Sequence, residues 1–100
     1  MEISEEYTKK ELEMLGYNVK LGKNTEWSEA GIPDFFVSFG ADQFWVEVKT
    51  EENVGLNYSQ FEWILKNLHL RVYLAIVKGN HHPTFVSFYK ILIHEIKTFG

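Results

Sequence analysis

One hundred residues, 45% of them apolar and 16% aromatic, are enough for one packed domain and too few for two. The absence of cysteine excludes a disulfide framework and a thiolate zinc site, and no apolar run reaches the roughly 18 residues that a membrane span needs. The net charge of −4 argues against a nucleic-acid binder, which is usually basic, although a bound divalent cation would offset part of that acidity locally.

The chain opens Met1-Glu2-Ile3-Ser4-Glu5-Glu6, with neither the basic start nor the apolar stretch of a signal peptide. A soluble, intracellular protein of the cytoplasm is expected. Residues 3–15 read as a helix: Ser4 is placed to cap it, acidic residues fill its first turn, Lys9 and Lys10 follow, and Gly16 stops it. Tyr17 to Leu21 alternates as a half-buried strand does, and residues 22–32 form a polar loop. Pro33 to Phe39 and Gln43 to Thr50 read as two strands of a hairpin turning at Gly40-Ala41-Asp42. A helix capped by Asn57 or Ser59 runs to about Leu68, with Phe61, Ile64, Leu65 and Leu68 at helical spacing. Arg71 to Lys78 and Thr84 to Phe88 are strands, and Tyr89, Leu92, Ile93 and Ile96 predict a C-terminal helix. The expected order is αβββαββα: an α/β domain with a central mixed sheet flanked by helices, in which 43–78 forms a right-handed parallel crossover.

The strand 43–50 carries the chemistry. Phe44, Val46 and Val48 point to one face, and Trp45, Glu47 and Lys49 to the other. On the strand alone, Glu47 and Lys49 read most simply as an ion pair on a solvated sheet face. Asp34, just before the neighbouring strand, changes this, because the hairpin brings it alongside them. Two carboxylates and a lysine suit a hard cation such as Mg²⁺ or Mn²⁺ and phosphodiester hydrolysis, with the lysine orienting water or offsetting developing charge.

Gly31-Ile32-Pro33-Asp34-Phe35 followed by Glu47-Val48-Lys49 resembles the PD-(D/E)xK nuclease superfamily, and within it the small Holliday-junction resolvases and VRR-NUC domains. Leu56-Asn57-Tyr58-Ser59-Gln60-Phe61-Glu62-Trp63 resembles the glutamine-bearing helix that follows in those families. The resemblance spans about residues 5–78 and implies that 1–100 is a single nuclease-like domain with a restriction-endonuclease-like core. It implies that Asp34, Glu47 and the Val48 carbonyl hold Mg²⁺ (or Mn²⁺), that Lys49 positions the attacking water, and that Gln60 reaches back to the site. It also implies a glutamate on the first helix. Glu5 is favoured because it lies seven residues before Leu12 on nearly the same face, whereas Glu6 points about 120° away; both remain ordinary first-turn glutamates on the alternative reading.

The implied function is a metal-dependent endodeoxyribonuclease acting on DNA, with branched substrates such as junctions or flaps, as a homodimer that brings two sites to two strands. Two other classes stand beside it: a nuclease-like module that binds nucleic acid or a partner without cutting, and an interaction domain in which the cluster is a structural ion pair. His81-His82 reads as a solvated turn, His69 as a helix-end residue, His94 as uninformative, and Ser28 as a loop residue or phosphate contact. Trp63 is expected to pack, Trp45 to wall the site or fill the core, and Trp27 to contact nucleic acid or a second copy. Lys9, Lys10, Lys20 and Lys23 are either phosphate contacts or solvated.

Overall fold

The computed structural model describes residues 1–26 and 28–93. They form a five-stranded sheet in the order β1-β2-β3-β4-β5, with β1 Asn18–Leu21, β2 Phe35–Phe39, β3 Asp42–Thr50, β4 Val72–Lys78 and β5 Phe85–Lys90. Helix α1, Ile3–Met14, lies on one face, and helix α2, Tyr58–Lys66, connects β3 to β4. β3 and β4 are parallel and every other pair is antiparallel, so the sheet is mixed, as the strand–helix–strand pattern of 43–78 predicts. No helix among the described residues is long and apolar enough to cross a membrane.

The centre of the sheet is buried on both faces. One face of β3 packs Phe44 and Val46 with Phe35, Val37, Ala75 and Leu12 of α1. The other packs Trp45 with Trp63 and Ile64 of α2 and with Val72, and the Trp45 and Trp63 rings meet edge to face at 5.3 Å. Trp63 therefore packs, and of the two roles open to Trp45 it takes the core.

Two turns show why the chain folds here. Gly16, at φ +95°, ends α1: its N–H donates to the Glu13 carbonyl at 2.9 Å and the Tyr17 N–H to Leu12 at 3.1 Å, the paired bonds of a Schellman ending. Phe39 pairs with Asp42 across the β2–β3 turn. Gly40 there takes a positive φ and Ala41 a negative one, the sign pattern of a type II′ hairpin turn.

Three sequence expectations are corrected. Ser4 does not cap α1. The helix begins at Ile3, where expected, so Glu2 occupies the cap position with no side-chain bond, and Ser4 lies inside the helix, buried at 7% exposure. The α2 helix ends at Lys66 rather than Leu68, leaving His69 exposed beyond it. The C-terminal helix does not start at Tyr89, because Tyr89 and Lys90 extend β5 by pairing with Leu74 and Tyr73. The helical spacing there is local, and ladder bonding to β4 outweighs it; residues 94–100, with His94 and Ile96, lie outside the described residues, as does Trp27.

Of the two capping residues expected, Asn57 caps α2 and Ser59 lies inside it. The Asn57 side chain accepts from the Gln60 N–H at 2.9 Å while the Gln60 Oε1 accepts from the Asn57 N–H at 3.0 Å, a reciprocal capping box. Asn57→Ala is expected to destabilise the protein by about 1 kcal/mol, read as a lower urea midpoint with unchanged slope. It should also depress any activity that depends on Gln60, whose backbone it anchors.

Candidate active site

Continuing the β2–β3 register one step past Phe35↔Val46 sets Asp34 opposite Glu47, on the face that carries α2. A backbone bond then fixes the aspartate: the Val48 N–H donates to Asp34 Oδ2 at 2.8 Å. That bond is available for a topological reason. The Trp45 N–H donates to Arg71 and the Glu51 N–H to Val77, so the odd-numbered backbone groups of β3 face β4 and the even-numbered ones face β2. Past the start of β2, at Phe35, Val48 has no strand opposite it. In a strand the N–H and C=O of one residue lie on the same side, so the Val48 carbonyl also faces the Asp34 side.

Glu47 is only 4% exposed. Burial, then a hydrogen bond to Asp34 and the charge of Asp34, push its carboxyl up to about 9, against an opposing pull from Lys49. Near neutral pH it holds a proton that it donates to Asp34, unless a cation takes the proton's place. Glu5, half-buried on α1, is held above the usual carboxylate range by burial and by the neighbouring Asp34 and Glu2.

Lys49 lies two residues along β3 on the same face. Its Nζ donates to Gln60 Oε1 at 3.0 Å, the same oxygen that completes the α2 capping box. One amide oxygen thus ties the lysine to the start of the helix. The two ion pairs among the described residues are Lys66–Glu62 and Arg71–Asp42; neither involves Lys49, Asp34 or Glu47.

All the residues singled out by sequence converge. Glu5, Asp34, Glu47, Val48, Lys49 and Gln60 line one cavity of about 280 Å³. Glu6 is exposed and lines none of it. Glu2, Ser4, Thr50 and Asn53 also line it and were not anticipated. Ser4 lies on the buried stripe Ser4, Thr8 and Leu12 of α1, where the Thr8 hydroxyl donates to the Ser4 carbonyl at 2.8 Å; polar at two of its three positions, the stripe gives no apolar signal in the sequence. Asn53 comes from a loop whose sequence has no pattern to place it. His81, His82 and Ser28 are exposed and do not line this cavity.

Among the described residues no group of three or more Asp, Glu or His side chains is set to hold a metal ion. The donor set is smaller: two carboxylates, Asp34 and Glu47, and a backbone carbonyl, Val48. It fits a hard cation that keeps most of its water, as Mg²⁺ does when one or two carboxylates bind it. Compared with models of known protein families and with curated protein sequences, the chain matches none.

Proposed function

We propose that this protein is a metal-dependent endodeoxyribonuclease with a restriction-endonuclease-like core, resembling the PD-(D/E)xK nucleases. The observation that carries this reading is the meeting of Asp34, Glu47 and the Lys49–Gln60 pair in one cavity, from two strands and a helix. Asp34, Glu47 and the Val48 carbonyl would hold Mg²⁺ or Mn²⁺. When bound there, the cation supplies Lewis acidity to a phosphodiester oxygen and charge to its transition state.

The chain's own groups do the rest. Lys49, kept in place by Gln60, directs its ammonium at the attacking water or at the non-bridging oxygens as they gain charge. Glu47 gives up its proton as the site is filled. The water oxygen bonds to phosphorus as the bridging P–O bond breaks, leaving a phosphate monoester and an alcohol. Glu5 borders the cavity from α1 and adds negative charge that favours the cation. DNA, branched as in junctions or flaps, is the substrate this reading assigns, and a homodimer would bring two such sites to two strands.

A structural ion pair is the weaker reading, because Lys49 bonds an amide oxygen and not a carboxylate. Among modules that do not cut, the net charge of −4 favours one that binds a protein partner rather than nucleic acid. The deciding experiment is cleavage of labelled four-way junction, flap, linear duplex and single strand with Mg²⁺, Mn²⁺ or EDTA, beside Glu47→Ala and Asp34→Asn. Metal-dependent cutting is expected, falling by at least about 10²-fold in either variant. No cutting of any substrate, together with no Mn²⁺ binding, overturns catalysis and leaves the binding module.

A further inference from the structure

We infer that Lys23 is a substrate-binding residue of this groove and takes a nucleic-acid backbone phosphate flanking the one at the carboxylates; the inference rests on the nuclease reading above. A second cavity, of about 420 Å³, adjoins the first. Glu2, Glu5 and Asp34 line both, and the second continues past Asp34 to Leu21, Lys23, Ile32 and Pro33. The two cavities thus share the carboxylates Glu2, Glu5 and Asp34; Lys49 and Glu47 line only the first, and Lys23 only the second.

That pattern suits a polyanionic strand whose central phosphate meets a cation held by the carboxylates. The flanking phosphate then has Lys23 to meet, and the apolar wall of Leu21, Ile32 and Pro33 suits the sugar between. Lys23 is exposed and has no carboxylate within ion-pairing distance among the described residues, although three acidic side chains line the same cavity. Its charge is thus available to a ligand.

The backbone that carries it is fixed. The turn Gly22–Asn24 is bonded to the site, with the Gly22 N–H donating to the Asp34 carbonyl at 2.8 Å and the Thr25 hydroxyl donating to the Gly22 carbonyl at 2.7 Å. Gly22 is buried so closely against Pro33 that a Cβ there would fall 2.0 Å from the Pro33 carbonyl oxygen. Lys23 therefore starts from a point set relative to Asp34, and only its flexible stem moves.

The test is binding and cutting by the wild type, Lys23→Gln and Lys23→Arg. Binding is read by anisotropy of a fluorescein-labelled single strand in Ca²⁺ at several salt concentrations, and cutting on the best substrate in Mn²⁺. Lys23→Gln is expected to weaken Kd by about three- to tenfold and to make the slope of log affinity against log salt shallower by about 0.7; Lys23→Arg should restore both. In cleavage the loss should fall on KM rather than kcat. Replacing single phosphates by neutral methylphosphonates should reveal one flanking position where the wild type drops to the Lys23→Gln level and that variant loses nothing more. Unchanged affinity and salt slope in Lys23→Gln overturn the inference, whether or not the protein cuts. A wild type that binds with Lys23-dependent affinity but cuts nothing overturns catalysis alone.

Discussion

Glu47→Gln is expected to make the protein more stable at pH 8 and to leave it little changed at pH 5. In the folded chain burial and the adjacent Asp34 push the Glu47 carboxyl up to about 9 from an ordinary 4.5. Below pH 4.5 both the folded and unfolded chains hold the proton, and the site imposes no penalty. Between 4.5 and 9 the folded chain holds a proton that the unfolded chain has released, so stability falls as pH rises. Three pH units of full linkage would amount to about 4 kcal/mol. Relaxation and water entry reduce that, and about 2 kcal/mol is the expected gain for the glutamine variant at pH 8.

Glutamine keeps the shape of the protonated acid and cannot ionise. Urea denaturation at the two pH values measures this, and an equal change at both would refute the buried-proton account. Mn²⁺ should raise the wild-type melting temperature most at pH 8, where it displaces the proton, and should leave Glu47→Gln unmoved.

Phe35→Ala is expected to cost about 3–5 kcal/mol. Phe35 is fully buried, at 0% exposure, among Leu12, Val37, Phe44, Val46 and Ala75. Its removal leaves a gap bounded by a strand on each side and α1 above. For a domain whose total stability is about 5–15 kcal/mol, that is a large share, and the urea midpoint should fall accordingly. Phe85→Ala, at a ring 60% exposed on β5, is the contrast and should stay within about 0.5 kcal/mol. A Phe35→Ala loss below 1 kcal/mol would mean that α1 settles into the gap. Because Phe35 directly follows Asp34, the variant should also weaken metal binding in whatever fraction stays folded.

The elements legible in the sequence were those whose local pattern and tertiary role agree. In β3 the alternation of Phe44, Val46 and Val48 against Trp45, Glu47 and Lys49 survives because both faces are covered, one by α1 and one by α2. Gly16 and Gly40 marked their turns because each takes a φ that other residues resist. Asn57 marked its helix because its side chain and that of Gln60 satisfy each other's backbone N–H groups.

What was misread depended on distant partners. The spacing of Tyr89, Leu92 and Ile93 suits a helix, yet β4 supplies ladder bonds that no local pattern announces. Ser4 is a good capping residue by type, but α1 begins at Ile3 and buries it. For the site, residue types and the strand pattern named Asp34, Glu47 and Lys49, and the resemblance to the PD-(D/E)xK nucleases implied Val48, Gln60 and Glu5. They could not show that Gln60 serves the lysine and the helix cap with one oxygen, or that the turn bearing Lys23 is bonded to the Asp34 carbonyl. Those facts arise only when two loops and a helix end meet over the sheet.

Every strand in this sheet lies beside the strand that precedes it in the chain. Little entropy is therefore lost in closing the intervening loops, and three of the four strand pairs are antiparallel neighbours. The exception is β3 with β4, which must wait for α2 to cross over. That junction, across the longest connection in the sheet, is also where Glu47 meets Leu74 and Lys49 meets Ile76. The longest connection in the sheet thus closes on the strand that carries the candidate site, and the entropy of closing it falls on the pairing that sets Glu47 and Lys49 among their neighbours.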